Sequence, residues 1–106
     1  MSEYNAMVKS HGISLSENGK KIMFYMDLEL PNGGGVGFVV ESSTEEGEKD
    51  TFSSTLAKVM NVLDVKKLDE IDGRPLVAVF DGEMFIGSRL IGIKHFLYKT
   101  SFMEND

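Results

Sequence analysis

The sequence predicts an α+β fold, in which one main helix packs on one face of a mostly antiparallel sheet. Residues 22–30 alternate between large apolar side chains and a largely polar set, which is typical of a strand with one buried face. Residues 52–63 carry apolar side chains at helical spacing. The other apolar segments are short, and turn sequences such as Asn-Gly and Asp-Gly separate them.

The N-terminal half is predicted to be a three-strand meander. A first strand within residues 4–16 is followed by Asn18-Gly19, which suits a two-residue hairpin turn. The strand 22–30 ends at Pro31 and the glycines after it, because proline lacks the amide donor that a sheet needs. A third strand begins at Val36, and residues 42–49 are expected to form a mobile acidic loop.

A single helix is predicted after this loop, with Asp50 or Thr51 as its N-cap. Its apolar stripe consists of Phe52, Leu56, Val59, Met60 and Leu63. This stripe is expected to lie on the sheet. A shorter helical turn over 66–71 should end at Gly73.

The C-terminal half is predicted to add a hairpin to the sheet. Residues 76–80 are almost wholly apolar, as in a strand that is buried on both sides. Asp81-Gly82 is a turn signal, and strands are expected at 84–86 and 89–97. Residues 103–106 are expected to be a frayed C-terminus, and residues 1–106 to form a single domain.

Composition excludes several classes of function. The 106-residue chain has no cysteine, which removes disulfides and thiolate metal sites. Its apolar runs are far shorter than the ~20 residues of a membrane span, and its first ten residues do not resemble a signal peptide. We therefore expect a cytoplasmic protein with no membrane partner. A net charge of −6 makes binding to nucleic acid unfavourable in general.

No residues form a recognisable catalytic, metal or cofactor motif. The glycines at 33–37 lead into a strand and lack the lysine of a phosphate-binding loop, so they predict a turn. His11 and His95 are too far apart in the chain for the usual zinc spacing, and each is expected to be a partly buried strand residue. The alternative of an unrecognised hydrolase requires His95 to meet Asp81 or Glu83.

Two groups of residues are candidates for binding. Arg74, Arg89, Lys94 and His95 make the C-terminal part locally basic, with Lys99 as a further cation. Such a patch could favour an anionic ligand, and the planar guanidinium of Arg89 suits phosphate or carboxylate best.

The second candidate is a partner interface on the sheet face that the helix leaves uncovered. Met23, Tyr25 and Val39 are expected to lie on that face, where apolar side chains indicate a partner. The partner could be another protein or a second copy of the chain, so homo-oligomerisation is one expectation.

Three segments, at 33–38, 62–75 and 91–97, resemble a family of small, functionally uncharacterised proteins from tailed bacteriophages and prophages. Members of that family share a glycine segment that runs into Gly-Phe, a helix end with a "Val-x-x-Trp-Glu-Asp-Leu-x-Gly" turn, and an "Ile-Gly-His-Phe-Leu" strand. Leu68 replaces the tryptophan here, and Ile93-Lys94 separates Gly92 from His95. The resemblance implies a phage origin and the same fold, but no activity.

These observations lead us to expect a non-enzymatic phage accessory protein without a cofactor. It would act in an infected bacterium by binding, and so inhibiting or sequestering, a host factor. The factor could be a defence protein or its small anionic nucleotide signal. The alternative is an accessory protein of phage DNA replication or recombination, which would bind nucleic acid through Arg74, Arg89, Lys94 and Lys99.

Overall fold

The computed structural model describes residues 2–43, 51–82 and 89–103. The strands are β1 (Ser2–Leu15), β2 (Lys21–Glu29), β3 (Gly35–Ser43), β4 (Pro75–Phe80), β5 (Leu90–Lys94) and β6 (Ser101–Met103). They form one antiparallel sheet in the order β3-β2-β1-β4-β5-β6. The helix α1 (Thr51–Leu63) and a 3₁₀ helix (Leu68–Glu70) lie between β3 and β4 in the chain. The predicted α+β fold is confirmed.

Alternation determines which face of β2 is buried. Phe24, Met26 and Leu28 are buried, whereas Tyr25 and Asp27 between them are exposed. This pattern follows from the pleat of a strand, which directs successive side chains to opposite faces.

The two N-terminal hairpins differ from each other in their turns. Leu30 accepts a hydrogen bond from the Gly33 amide (2.9 Å) and donates one to the Gly34 carbonyl (2.8 Å). Gly33 has φ +87°, a conformation that glycine adopts without steric cost. The other hairpin has a longer loop than the predicted two-residue turn, because the Ser16 amide bonds the Lys21 carbonyl around Asn18 and Gly19.

Strand β1 joins the two halves of the molecule. Its N-terminal part pairs with β4 and its C-terminal part pairs with β2. The register with β2 shifts between Val8 and Ser10, so Lys9 forms a bulge at the junction. The predicted meander and C-terminal hairpin are therefore parts of one sheet, because β1 serves both.

The core lies on the inner side of the curled sheet, and α1 packs on it through β3, β4, β5 and β6. The buried side chains of the core are Ala6, Val8, Phe24, Met26, Leu28, Leu30, Phe38, Val59, Val62, Leu63, Val65, Ile71, Leu76, Ala78, Phe80, Ile93 and Phe102. The predicted helix stripe is confirmed, but Val62 is buried as well. The additional burial has a geometric reason: α1 contacts β3, β4, β5 and β6, so the sheet covers a broad arc of the helix.

The sheet curls so that its two ends approach each other. β3 contacts β5 although the two strands are not paired. Phe38 of β3 and Phe102 of β6 meet edge to face, with ring centroids 5.9 Å apart. Phe102 therefore docks in the core, and β6 is an ordered strand that the sequence did not predict.

The C-terminal half differs from the prediction in its boundaries. β5 ends at Lys94, so the strand expected to continue to residue 97 is wrong, and a turn begins at His95. The frayed terminus does not begin at 103, because Met103 lies in β6. Ser42 and Ser43 belong to β3. The remaining parts of the predicted acidic loop (44–49), the strand 84–86 and residues 104–106 lie outside the described residues.

Within the described ranges, neither helix has the length and apolar character that crossing a lipid bilayer requires.

Candidate functional site

The face of β1, β2 and β3 that α1 does not cover is called the open face here. Met23, Tyr25 and Val39 all lie on it, because they alternate with residues that are buried in the core or packed against it. Tyr25 lies directly opposite Val39 in the register of β2 and β3, and Met23 follows on the same face. These three residues, the open-face cluster, are brought together by the fold.

Gly12 of β1 supports the ring of Tyr25. Gly12 is paired with Tyr25, and a Cβ atom at Gly12 would collide with the Cζ and Oη atoms of the tyrosine. The ring therefore lies across the glycine backbone. Tyr25 remains 38% exposed and Val39 56% exposed, so the cluster presents an aromatic ring held against the sheet and an aliphatic neighbour to solvent.

Carboxylates border the open-face cluster. Asp27 accepts a hydrogen bond from the Ser10 hydroxyl (3.0 Å), and Glu41 Oε2 lies 3.6 Å from Lys21 Nζ. Asp27 and Glu29 have no basic side chain within 4.0 Å among the described residues. They line a groove of about 570 Å³ beside the glycines of the β2–β3 hairpin, together with Lys9. The border is thus more acidic than basic.

The predicted anion-binding residues do not converge on one point. Arg74 immediately precedes β4, whereas Arg89 lies beside the opposite end of that strand. The backbone amide of Arg89 donates a hydrogen bond to Asp81 Oδ1 (2.7 Å). At about 3.3 Å per strand residue, the two arginines are about 20 Å apart. Lys94 lies between them and donates from Nζ to Glu3 Oε2 (2.6 Å). A single site for an anionic ligand is therefore not formed by this set.

His95 has a structural role that the sequence did not predict. It is buried, and its Nδ1 atom accepts hydrogen bonds from the amides of Leu97 (3.0 Å) and Tyr98 (3.1 Å). Nδ1 can accept only when the imidazole is neutral and its proton is on Nε2. The expectation of a partly buried strand residue is wrong for His95, because it begins a turn. It is confirmed for His11, which is half-buried in β1.

The residues required for a hydrolase are not brought together where they are described. Lys94 pairs with Val77, so His95 lies near the start of β4 and Asp81 follows its end, about 15 Å away. Glu83 lies outside the described residues. In the described part of the chain, His11 Nδ1 lies 2.7 Å from Asp72 Oδ1, which is the shortest contact of a histidine with a carboxylate. Among the described residues no three His, Cys, Asp or Glu side chains are grouped as a metal site.

A second exposed apolar surface was missed by sequence reasoning. Phe96, Leu97 and Tyr98 are consecutive and exposed. The imidazole of His95 stacks on both aromatic rings, with its centroid 4.8 Å from that of Phe96 and 4.6 Å from that of Tyr98. Residues 95–100 are called the aromatic turn here. The available signal was the run of three consecutive large apolar residues, which does not fit a strand with one buried face.

Comparison of the chain with protein-family models gives no match, and comparison with curated protein sequences gives no significant match.

Proposed function

We propose that the protein is a non-enzymatic phage accessory protein that binds, and thereby inhibits or sequesters, a host factor through the open-face cluster. The observation that carries this proposal is the exposed pair of Tyr25 and Val39, opposed on adjacent strands with Met23 beside them. Large aromatic and methionine side chains are enriched at protein interfaces, where a few of them supply most of the binding free energy.

The support of Tyr25 by Gly12 makes the cluster suitable for binding. A ring that already lies against the sheet loses little conformational freedom when a partner covers it. Its border of Asp27, Glu29 and Glu41 suits the polar rim of a protein interface. A protein target is favoured over a small nucleotide signal, because Arg74 and Arg89 are far apart.

The infected bacterium is part of the proposal and rests on the resemblance of residues 33–38, 62–75 and 91–97 to phage proteins. In this setting the protein acts stoichiometrically, so its effect depends on the amount made and on its affinity for the target.

The test is affinity purification from bacterial lysates with the tagged protein, followed by mass spectrometry. A Y25S/V39S variant should lose a host protein that the parent retains in about equimolar amount. L68S is the matched control, because Leu68 is 37% exposed on the 3₁₀ helix and lies outside the cluster. Equal recovery with the parent and the Y25S/V39S variant would contradict the proposal.

Nucleotide signals are tested separately by isothermal titration of the parent protein with cyclic and ADP-ribose-type nucleotides. No heat is expected. Saturable binding that persists in the Y25S/V39S variant would place the function elsewhere on the molecule.

Nucleic-acid binding is the second candidate, and the connectivity of the fold favours it. The order of elements resembles that of the OB-fold: a three-strand meander is followed by a helix and by a hairpin that returns to β1. Here β3 contacts β5 without pairing with it, and β6 is an additional strand. OB-fold proteins bind oligonucleotides on the face of strands 2 and 3, where aromatic rings stack on bases, and Tyr25 lies on that face. Because one fold can carry many functions, binding has to be measured on this chain itself.

This candidate predicts that an oligothymidylate is retained at about 50 mM salt and released as the salt concentration rises. Y25S should weaken that retention, since one stacked base contributes about 1–3 kcal/mol. Asp27, Glu29 and Glu41 oppose it, because they repel the phosphates that the strand would bring to the same face.

A further inference from the structure

The aromatic turn and the open-face cluster are complementary surfaces on one molecule. We propose that the aromatic turn of one copy docks on the open-face cluster of a second copy, head to tail. This interaction goes beyond the proposed binding of a host factor and uses the same face, so a host partner would have to displace the second copy.

The aromatic turn has the properties of a docking element. Phe96 is 47% exposed, Leu97 71% and Tyr98 66%, which makes them the longest consecutive run of exposed large apolar residues among those described. The turn is held by the two bonds to His95 Nδ1 and by a bond from the His95 amide to the Thr100 carbonyl (2.9 Å). An ordered apolar surface loses little entropy on binding.

The two surfaces match in chemistry. Phe96, Leu97 and Tyr98 offer rings and an aliphatic side chain to the ring of Tyr25 and the thioether of Met23, and such aromatic and sulfur–aromatic contacts are favourable.

Their charges are also opposed. Residues 89–103 contain Arg89, Lys94 and Lys99 and no acidic residue. Lys99 has no carboxylate within 4.0 Å among the described residues, and Asp27 and Glu29 on the open face lack a basic partner there. Docking would bring Lys99 towards these carboxylates.

The contact must form between copies. β5, which leads into the aromatic turn, is separated from β2 by β1 and β4. Tyr25, Val39 and the three apolar residues of the turn all remain exposed, so the two surfaces do not cover each other within one copy. Different surfaces on the two partners make the interface heterologous, so it can propagate. A symmetric contact of open face on open face would leave the aromatic turn uncovered and would not bring Lys99 to Asp27 and Glu29.

The interaction is expected to be weak. Three turn residues and the cluster bury less than the about 1,200 Å² that stable interfaces need, so association in the micromolar range follows. Because opposite charges contribute, raising the salt concentration should also weaken it.

Sedimentation velocity on the full chain, from about 10 to 500 µM, tests the proposal. The average mass of the parent should rise with concentration, whereas Y25S and L97S should each remain monomeric. L15S is the matched control, since Leu15 is 62% exposed on β1 away from both surfaces, and it should associate like the parent. Circular dichroism verifies that every variant is folded.

Mixing the two variants distinguishes a head-to-tail contact from a symmetric one. Y25S retains an intact aromatic turn and L97S an intact open face, so an equimolar mixture should form a 1:1 dimer and nothing larger. A mixture that stays monomeric, an L97S variant that still associates, or a parent that is monomeric throughout would each overturn the proposal. None of these results bears on recovery of a host protein, so the two proposals can fail separately.

Discussion

His95 shows how one ring nitrogen can hold a turn. Its Nδ1 atom satisfies the amides of both Leu97 and Tyr98, and its ring stacks on its neighbours. The acceptor and the ring can be separated by substitution. Asparagine places an oxygen acceptor near the position of Nδ1 but has no ring, whereas phenylalanine keeps a ring and cannot accept.

We expect H95F to lower the free energy of unfolding by about 1–3 kcal/mol, because it leaves two amides without their acceptor. H95N should cost less. Hydrogen exchange of the Leu97 and Tyr98 amides checks the cause: both should be protected in the parent and in H95N, and fast in H95F. Slow exchange in H95F would show that ring stacking alone orders the turn.

Glu70 makes a pH-dependent contribution at the 3₁₀ helix. Its Oε1 atom accepts hydrogen bonds from the amides of Lys66 (3.0 Å) and Lys67 (2.9 Å). The Lys66 amide, followed by the Lys67 amide, lowers the pKa of this carboxyl below its ordinary value of 4.5. The folded state therefore favours the ionised form, and the contribution to stability is complete above the unfolded-state pKa.

As the pH falls from about 6 through the lowered pKa, this contribution should be lost. E70Q should remove that part of the pH dependence, since glutamine can accept a hydrogen bond but does not ionise. Urea midpoints of the parent and E70Q, measured at several pH values, provide the check. Their difference should shrink towards acid pH, and a constant difference would mean that the charge of Glu70 does not contribute.

At the scale of elements, two glycines on adjacent parts of the curled sheet differ in their surroundings. A Cβ atom at Gly92 of β5 would collide with Met103 Sδ and lie 2.6 Å from the Phe102 carbonyl oxygen. A Cβ atom at Gly37 of β3 would meet nothing within 4 Å. Close approach of β6 therefore requires glycine only at position 92.

We expect G92A to destabilise the protein by about 1–3 kcal/mol, because the added methyl group must push β6 away. G37A should change stability by less than about 0.5 kcal/mol, since alanine at an unobstructed strand position carries no such strain. Guanidinium unfolding of both variants measures the difference. Equal stability of the two would mean that β6 can shift without cost.

The sequence predicts the long elements, in which a repeat of apolar residues extends over many positions. It does not predict the short ones. β2 and α1 were predicted because nine and thirteen residues carry a clear repeat. β6 has three residues, which are too few to show a repeat. The apolar residues after Lys94 have the composition of a continuing strand, and composition does not show that the chain turns at His95.

For the candidate site, the sequence correctly places the open-face cluster on one face but does not place the anion-binding residues. Alternation along β2 and β3 placed Met23, Tyr25 and Val39 on one face, and the structure places them there together. The proposed anion site relied on charges that are close in sequence, but β4 places Arg74 and Arg89 at its opposite ends. A strand extends by about 3.3 Å per residue, so charged residues that belong to one stretch of sequence can lie far apart when a strand separates them.

For the whole molecule, β1 is the element on which both halves depend. Val8 lies where β1 changes partner from β4 to β2, and it is fully buried. Its amide donates to the Arg74 carbonyl (2.9 Å) and its carbonyl accepts from the Gly73 amide (2.7 Å). The residue therefore connects the meander, the segment before β4 and the core, so damage there should reach both halves together.

V8A removes two methyl groups from this position and should lower the free energy of unfolding by about 2 kcal/mol. The transition should stay cooperative, because neither half keeps a closed core without β1. Far-ultraviolet circular dichroism reports the secondary structure of the whole chain. Tyrosine fluorescence reports the surroundings of side chains such as Tyr4, which packs on Phe80, and Tyr25, which lies on the open face. Both should give one denaturant midpoint, shifted equally in V8A. Separate midpoints would instead show that the meander unfolds without the C-terminal hairpin, and β1 would then not couple the two halves.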